Sequence, residues 1–195
     1  MQNSNTHAVG SKLSKCLSAA LAGAIIACGG ISAARAELPA DLQARVDGYK
    51  KQLAAWAASP VVVAAAKESS ANGGSAGLNN AKWMALSADD ATVKMLQSGA
   101  PAKLVGKWES FSDELGKLNI RDASGNLVAF SGNAGKPALY NNADKAPFKN
   151  GAKGPWNDSE IKPDLTTKKN SVQIAAPIQD GGKLVGVIHA SVEVR

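Results

Sequence analysis

From Leu42 the apolar residues recur at spacings of four and three: Leu42, Val46, Tyr49, Leu53 and Trp56. That spacing is one stripe of an α-helix. The stripe suits packing on a core, and it also suits pairing of two subunits in a homodimer. "SPVVVAAAK" restarts a helix, with Ser59 placed to cap it and Pro60 suited to its first turn. The Gly- and Ser-rich segment from Ser69 to Gly77 is a loop. Two or three short helices follow. "SADD", from Ser87 to Asp90, reads as a capping-box variant before a helix through Val93 and Leu96 that ends near Gly99. "APAKLVGKWESF" reads as another helix, with Leu104, Trp108 and Phe111 on one face.

From Leu118 the period changes to two. Leu118 to Asp122 and Leu127 to Ser131 flank a glycine-containing turn. A long loop runs from Gly132 to about Pro155, and short strands are expected at Trp156–Ile161, Ser171–Ile178 and Leu184–Val194. "QDGGK" joins the last two as a hairpin. Helices first and then an antiparallel sheet of about five strands make an α+β domain.

Residues 1–36 stand apart from this pattern. Lys12 and Lys15 precede an apolar stretch from Leu17 to about Ile31, and "SAARAELP" places Ala34 and Ala36 at A-x-A positions. This is the pattern of a signal peptide cut between Ala36 and Glu37. The alternative processing is lipidation at Cys28, since "IIAC" before Gly29 resembles a lipobox. Both imply export, to the periplasm or medium or to the outer face of a membrane. The mature domain, 37–195, has helices over 37–68 and the sheet with its loop over 118–195. Both cysteines, Cys16 and Cys28, precede the cut, so the mature chain has no thiol for a disulfide or a nucleophile. Losing Lys12, Lys15 and Arg35 takes the net charge from +6 to +3, with 19 basic against 16 acidic residues. With scattered basic residues and few aromatics, nucleic acid is not an expected partner.

Candidate chemistry is sparse. Asp122, Ser124 and Asn126 alternate as in a calcium loop, but the sixth position is Leu127 and the twelfth is Asn133, where a glycine and a bidentate acid are needed. A turn is the better reading. His189 is the only histidine after the cut, and no G-x-S-x-G elbow is present. No catalytic residue, metal site or cofactor is expected. Strand alternation in "LVGVIHASVEV" puts Val185, Val187, His189, Ser191 and Glu193 on one face, opposite an apolar face of Leu184, Gly186, Ile188, Ala190, Val192 and Val194. The first face turns polar from His189 onward, so it meets either solvent or a polar pocket. Loops as long as 132–155 often act as lids. This one carries Tyr140 and Phe148, with Trp156 just beyond. Seven lysines and four acids lie between Lys136 and Lys169, an excess of three positive charges. Such a segment either covers a pocket favouring anions or is a solvated basic loop.

"LNIRDASGNLVAFS", "YNNADKAPFKNGAKG", "IKPDLTTKKNSVQIAAPI" and "QDGGKLVGVIHASVEV", in that order, resemble the extracytoplasmic PAS-like sensor domains called Cache or PDC domains. The likeness covers most of the mature chain and extends to the first helix, ending in "LAAWAASPVVVAAA". It implies one antiparallel sheet with the long helix on one face and a small-molecule pocket on the other. It implies His189 and Ser191 at the pocket floor, Tyr140, Phe148 and Trp156 along the lid, and Lys145 or Lys149 meeting an anion. Amino-acid-sensing double-Cache receptors carry Arg-Pro-Trp-Tyr in the lid and an Asp on the last strand. The matching residues here are Ala146, Pro147, Phe148 and Lys149, and Ser191. The resemblance implies a freestanding, non-catalytic sensor that signals through a partner such as a membrane receptor. An interaction module without a ligand is the alternative.

Overall fold

The computed structural model describes residues 37–75 and 77–195. The expected signal peptide, with Ala36 and the lipidation candidate Cys28, lies outside the described residues. Glu37 is the first described residue and is exposed. Among the described residues no helix is long and apolar enough to cross a membrane.

Among the described residues there are six helices and six strands, and five of the helices precede the sheet as expected: α1 Ala40–Ala57, α2 Pro60–Asn72, α3 Asn80–Ala85, α4 Ala91–Ser98, α5 Ala100–Glu109, β1 Leu115–Asp122, β2 Leu127–Phe130, α6 Ala146–Gly151, β3 Trp156–Asn157, β4 Lys162–Pro163, β5 Asn170–Asp180 and β6 Lys183–Glu193. All strand pairs are antiparallel, in the order β2-β1-β6-β5-β3, with β4 also on β5. The domain is α+β.

The stripe of α1 faces inward. Leu42, Val46, Leu53 and Trp56 are buried and Tyr49 is half-buried against the same core. They meet Ile174 and Ile178 of β5, Ile188 and Val192 of β6, and Leu118 and Ile120 of β1, joined by Val62 and Ala66 of α2 and Val105 of α5. The apolar face of β6 is thus spent on the helices. Val185 is a correction to strict alternation. A register shift between Ile178 and Gln179 lets β5 pass from a Gly186 partner to a Leu184 partner, and Val185 turns into the helical core instead of joining Val187 and His189.

A second cluster joins Trp83, Val93 and Leu96 of the short helices to Leu127, Phe130 and Tyr140. Here local expectations need correcting. Asp90, not Ser87, caps α4, accepting from the Thr92 N–H at 2.8 Å. Ser59 stands at the N-cap of α2, with Pro60 in the first turn, but its hydroxyl makes no capping bond. Phe111 lies beyond the end of α5 and is 71% exposed, so only Leu104 and Trp108 of the expected face pack inward.

The two turns behave as sheet hardware. Asp122 Oδ1 accepts the N–H groups of Ser124 and Asn126, both at 2.9 Å, an Asx turn that leaves the carboxylate no role as an open metal ligand. Gly181 and Gly182 both have positive φ and close the β5–β6 hairpin between Asp180 and Lys183. The loop from Gly132 is not wholly irregular: α6 interrupts it. The strand expected over Trp156–Ile161 is reduced to the two residues of β3, and β4 lies beyond it at Lys162–Pro163.

Candidate functional site

The face of the sheet away from the long helices is covered by the 132–167 segment, and a cavity of about 240 Å³ lies between them. Its floor is polar and comes from three adjacent strands: Lys117 and Arg121 of β1, His189 of β6 and Gln173 of β5. Its cover is Pro137, Ala138, Leu139 and Asn142, then Lys145 and Pro147 at the start of α6. Asp158 and Lys162 to Thr166 complete the wall. The exposed lining is mostly apolar, from the prolines and leucines of the cover, over a small polar floor. The volume falls just below the roughly 300–1,000 Å³ of drug-sized ligand pockets, so it suits only a small molecule.

The floor is one hydrogen-bonded chain. Lys117 Nζ donates to Asp164 Oδ2 at 2.5 Å, and the same oxygen accepts Gln173 Nε2 at 2.8 Å. The other oxygen, Oδ1, accepts the N–H groups of Thr166 at 2.7 Å and Thr167 at 3.0 Å. Asp164 thereby pins the 164–167 turn to the sheet. Burial opposes its charge, but Lys117 and those two amides outweigh it, and its pKa lies below the ordinary carboxylate value. Burial pulls Lys117 down from its usual value, with Asp164 opposing. Lys117 also sits at a bulge between Gly116 and Asn119 with φ of 54°, which costs a non-glycine residue about 1–2 kcal/mol. The distortion is what lets its ammonium reach a carboxylate on the cover.

Because Gln173 gives its Nε2 to Asp164, its Oε1 is the atom that meets His189 Nε2 at 2.7 Å. His189 therefore carries its proton on Nε2, and Nδ1 is a bare, buried acceptor. Burial, then the charges of Lys117 and Arg121, hold the imidazole pKa well below its ordinary value of 6.5, so the ring is neutral at pH 7.

Arg121 is 2% exposed. Its guanidinium donates to three carbonyls, those of Tyr140 at 2.7 Å, Leu139 at 3.1 Å and Gly125 at 3.2 Å. Burial lowers its pKa to about 9, so it stays charged at neutral pH. The lysines of the cavity are each matched: Lys117 with Asp164, Lys162 with Asp158 and Lys145 with Asp144. Arg121 makes no salt bridge among the described residues, and its Nε has no partner.

Of the residues singled out from sequence, Lys145 and His189 line the cavity. Ser191 lies on the same face of β6 but is fully buried, donating to the Gly116 carbonyl at 2.9 Å. Phe148 and Trp156 pack with Ala175 and Val187 beside the cavity rather than in its wall. Tyr140 is buried among Trp83 and Phe130, its hydroxyl accepting the Ser75 N–H at 2.6 Å. Lys149 is exposed and outside the lining. Sequence reasoning missed Lys117, Arg121, Asn142, Asp164 and Gln173. Arg121 had a signal: in "LNIRD" it alternates with Leu118 and Ile120, so it shares the polar face with Asn119.

No family model matches the chain. No curated protein matches it either. Among solved structures it is similar to the ligand-binding domain of Mlp24 with asparagine, at 17% identity and TM-score 0.36 over 79% of this chain and 56% of that one. It is similar to the ligand-binding domain of the Pseudomonas aeruginosa PAO1 amino acid chemoreceptor PctC in complex with GABA, at 16% identity and TM-score 0.42 over 80% and 56%. It is also similar to the V. cholerae histidine kinase DctB sensor domain, at 16% identity and TM-score 0.36 over 78% and 57%. The chain thus spans less than two thirds of the length of each.

Proposed function

We propose that this is an exported, non-catalytic sensor domain that binds a small molecule between the sheet and the 132–167 cover. The observation that carries the reading is the cavity itself: a polar floor of Lys117, Arg121, Gln173 and His189 under a mostly apolar lid. Binding works by enclosure, with apolar lid contacts supplying affinity and the floor supplying orientation. An anionic ligand is favoured because Arg121 is the one lining cation without a carboxylate among the described residues. Asp164 ties the 164–167 turn to the floor, so a ligand that disturbs the floor moves the surface. A membrane receptor that reads that surface is the partner we propose. The leader-like pattern of residues 1–36 supports a periplasmic or secreted location.

The test is a thermal-shift panel of carboxylates, amines and sugars on the mature chain. A ligand at a hundred times its Kd stabilises by about 2.7 kcal/mol. For a domain of this size that is a rise in Tm of roughly 5–10 °C. A wide panel with no shift sinks the proposal in favour of an interaction module without a ligand. Turnover of any panel member, read by product analysis, overturns the non-catalytic part.

A further inference from the structure

From Glu160 to Asn170 only one residue is buried, and it is a carboxylate, Asp164. The two large aliphatic residues of the stretch, Ile161 and Leu165, are 39% and 65% exposed and join no core cluster. The stretch is a hairpin. Lys162 and Pro163 of β4 pair with Ser171 and Asn170 of β5, and 164–169 is the tip. The tip is closed by bonds from the Asp164 N–H to the Lys169 carbonyl and from the Lys168 N–H to the Asp164 carbonyl, both 2.9 Å. Through Lys162 to Thr166 it is also one wall of the cavity. The rest of the cover is held by apolar anchors. Tyr140 packs with Trp83 and Phe130, and Phe148 and Trp156 pack with Ala175 and Val187. The tip has a charged anchor instead: Asp164 Oδ2 accepts Lys117 Nζ and Gln173 Nε2. Its other ties are weak. The Ala138 N–H stands 3.4 Å from Thr166 Oγ1, long for a hydrogen bond, and the Lys169 that pairs with Glu193 is mostly exposed.

Resting on the reading of the cavity as a ligand site, we infer that the 160–169 tip is a latched flap. It swings off the sheet as a unit by parting Asp164 from Lys117, while 136–158 stays seated. The energetics favour this division. A buried ion pair loses hydration on closing, and that loss offsets much of its attraction. Opening the tip returns both charges to water and exposes no core side chain. Opening 136–158 would expose Tyr140, Phe148 and Trp156, with no such return. Strain adds to the contrast. Among the described residues the two non-glycine residues with positive φ are Lys117 at 54° and Lys168 at 62°. One bonds the Asp164 side chain and the other its carbonyl, so the closed arrangement carries both costs. A molecule in the cavity meets Pro163 and Leu165 on the flap and the floor at once, so occupancy favours the closed position. The surface that changes with occupancy is then the one bearing Ile161 and Leu165.

The test is amide exchange resolved by NMR, on the mature chain with no small molecule added. The N–H groups of Asp164, Thr166, Thr167 and Lys168 are all hydrogen-bonded, so their exchange reports opening of the tip. After correction for intrinsic rates, these four exchange at least tenfold faster than the bonded amides of Asn141, Asn142 and Ala152 in the rest of the cover. Lys117→Met leaves every bond within the tip in place and strands the Asp164 charge, and it speeds the four amides at least tenfold more. Leu165→Ser, at an exposed position, leaves their rate unchanged. Equal rates at all seven amides in the wild type overturn the flap, because the cover then moves as one piece. No response to Lys117→Met, or a tenfold response to Leu165→Ser, overturns the charged latch. Should Lys117→Met not fold, the wild-type comparison and Leu165→Ser decide without it. None of these outcomes involves a ligand, so failure of the flap leaves the ligand-binding proposal standing, and only the wider panel removes that proposal.

Discussion

His189 and Gln173 are joined across β6 and β5 by a 2.7 Å bond from Nε2 to Oε1, and its polarity is set by Asp164 on the far side of the glutamine amide. A buried neutral histidine makes stability depend on pH. Its folded pKa is depressed, while the unfolded chain titrates near 6.5. The unfolded state therefore takes up a proton that the folded state refuses. The stabilisation is complete above about pH 6.5 and is lost as pH falls below it, at up to about 1.4 kcal/mol per pH unit. Burial first, and then the charges of Lys117 and Arg121, hold the ring neutral, and Asp164 opposes them. Urea titrations between pH 5 and 8 should show this slope in wild type and a flatter one in His189→Gln. The difference between the two is the quantity to read, because Glu109, whose pKa burial raises, titrates in the opposite sense. Parallel curves would show that His189 titrates in the folded chain as it does in the unfolded one.

Lys117 and Asp164 join the cover to the floor with side chains 14% and 0% exposed. Removing one member of a buried pair strands the other, at a cost of about 3–5 kcal/mol. Lys117→Met and Asp164→Asn should each approach that cost. The double variant should be much less destabilised than their sum, because no lone charge is left. A double-mutant cycle in urea measures the coupling. Additive losses would mean that the two groups are independent and that the 164–167 turn is held by other contacts.

How much of this was legible in the sequence follows from the range of the interactions. The α1 stripe, the turn at Asp122 and the Gly181–Gly182 hairpin rest on near neighbours, and local patterns describe them correctly. The face on which His189 lies also follows from period two. The site does not. Tyr140 and Phe148 look like lid residues because they are aromatic and sit in a loop, yet Trp83 draws Tyr140 into a core of short helices 57 positions away in the chain. Arg121 shares a face with Asn119 by period two, but the carbonyls that hold it, those of Leu139 and Tyr140, are 18 and 19 residues away. Asp164 reads as one acid among many lysines, and only the bulge at Lys117 gives it a partner 47 residues distant.

Gly125 and Gly135 separate backbone strain from crowding. Their φ values are 81° and 80°. A Cβ on Gly125 would lie 2.7 Å from the Ala143 amide nitrogen, whereas a Cβ on Gly135 would meet nothing within 4 Å. Gly135→Ala should cost the roughly 1–2 kcal/mol of a left-handed alanine. Gly125→Ala should cost clearly more, since Ala143 must also move, and Asn142 beside it carries part of the cavity wall. Chemical denaturation of the two variants compares them directly. Equal losses would remove the contact between the β1–β2 turn and the cover from the account.

Phe148 anchors α6 on the sheet, packed with Ala175 and Val187 at 8% exposure. One turn on, Gly151 lies so close that an added Cβ would be 2.5 Å from that of Ala175. The helix is six residues long and too short to persist without this contact. Phe148→Ala should therefore cost about 3–5 kcal/mol, or show as local opening of the cover if the rest of the sheet holds. Hydrogen exchange distinguishes the two. Faster exchange confined to 138–167, with β1 and β6 still protected, identifies the cover as a unit that opens on its own. Such opening gives a ligand its way to the floor. Uniform acceleration over the whole domain would instead make the cover part of the global fold, and entry would need another route.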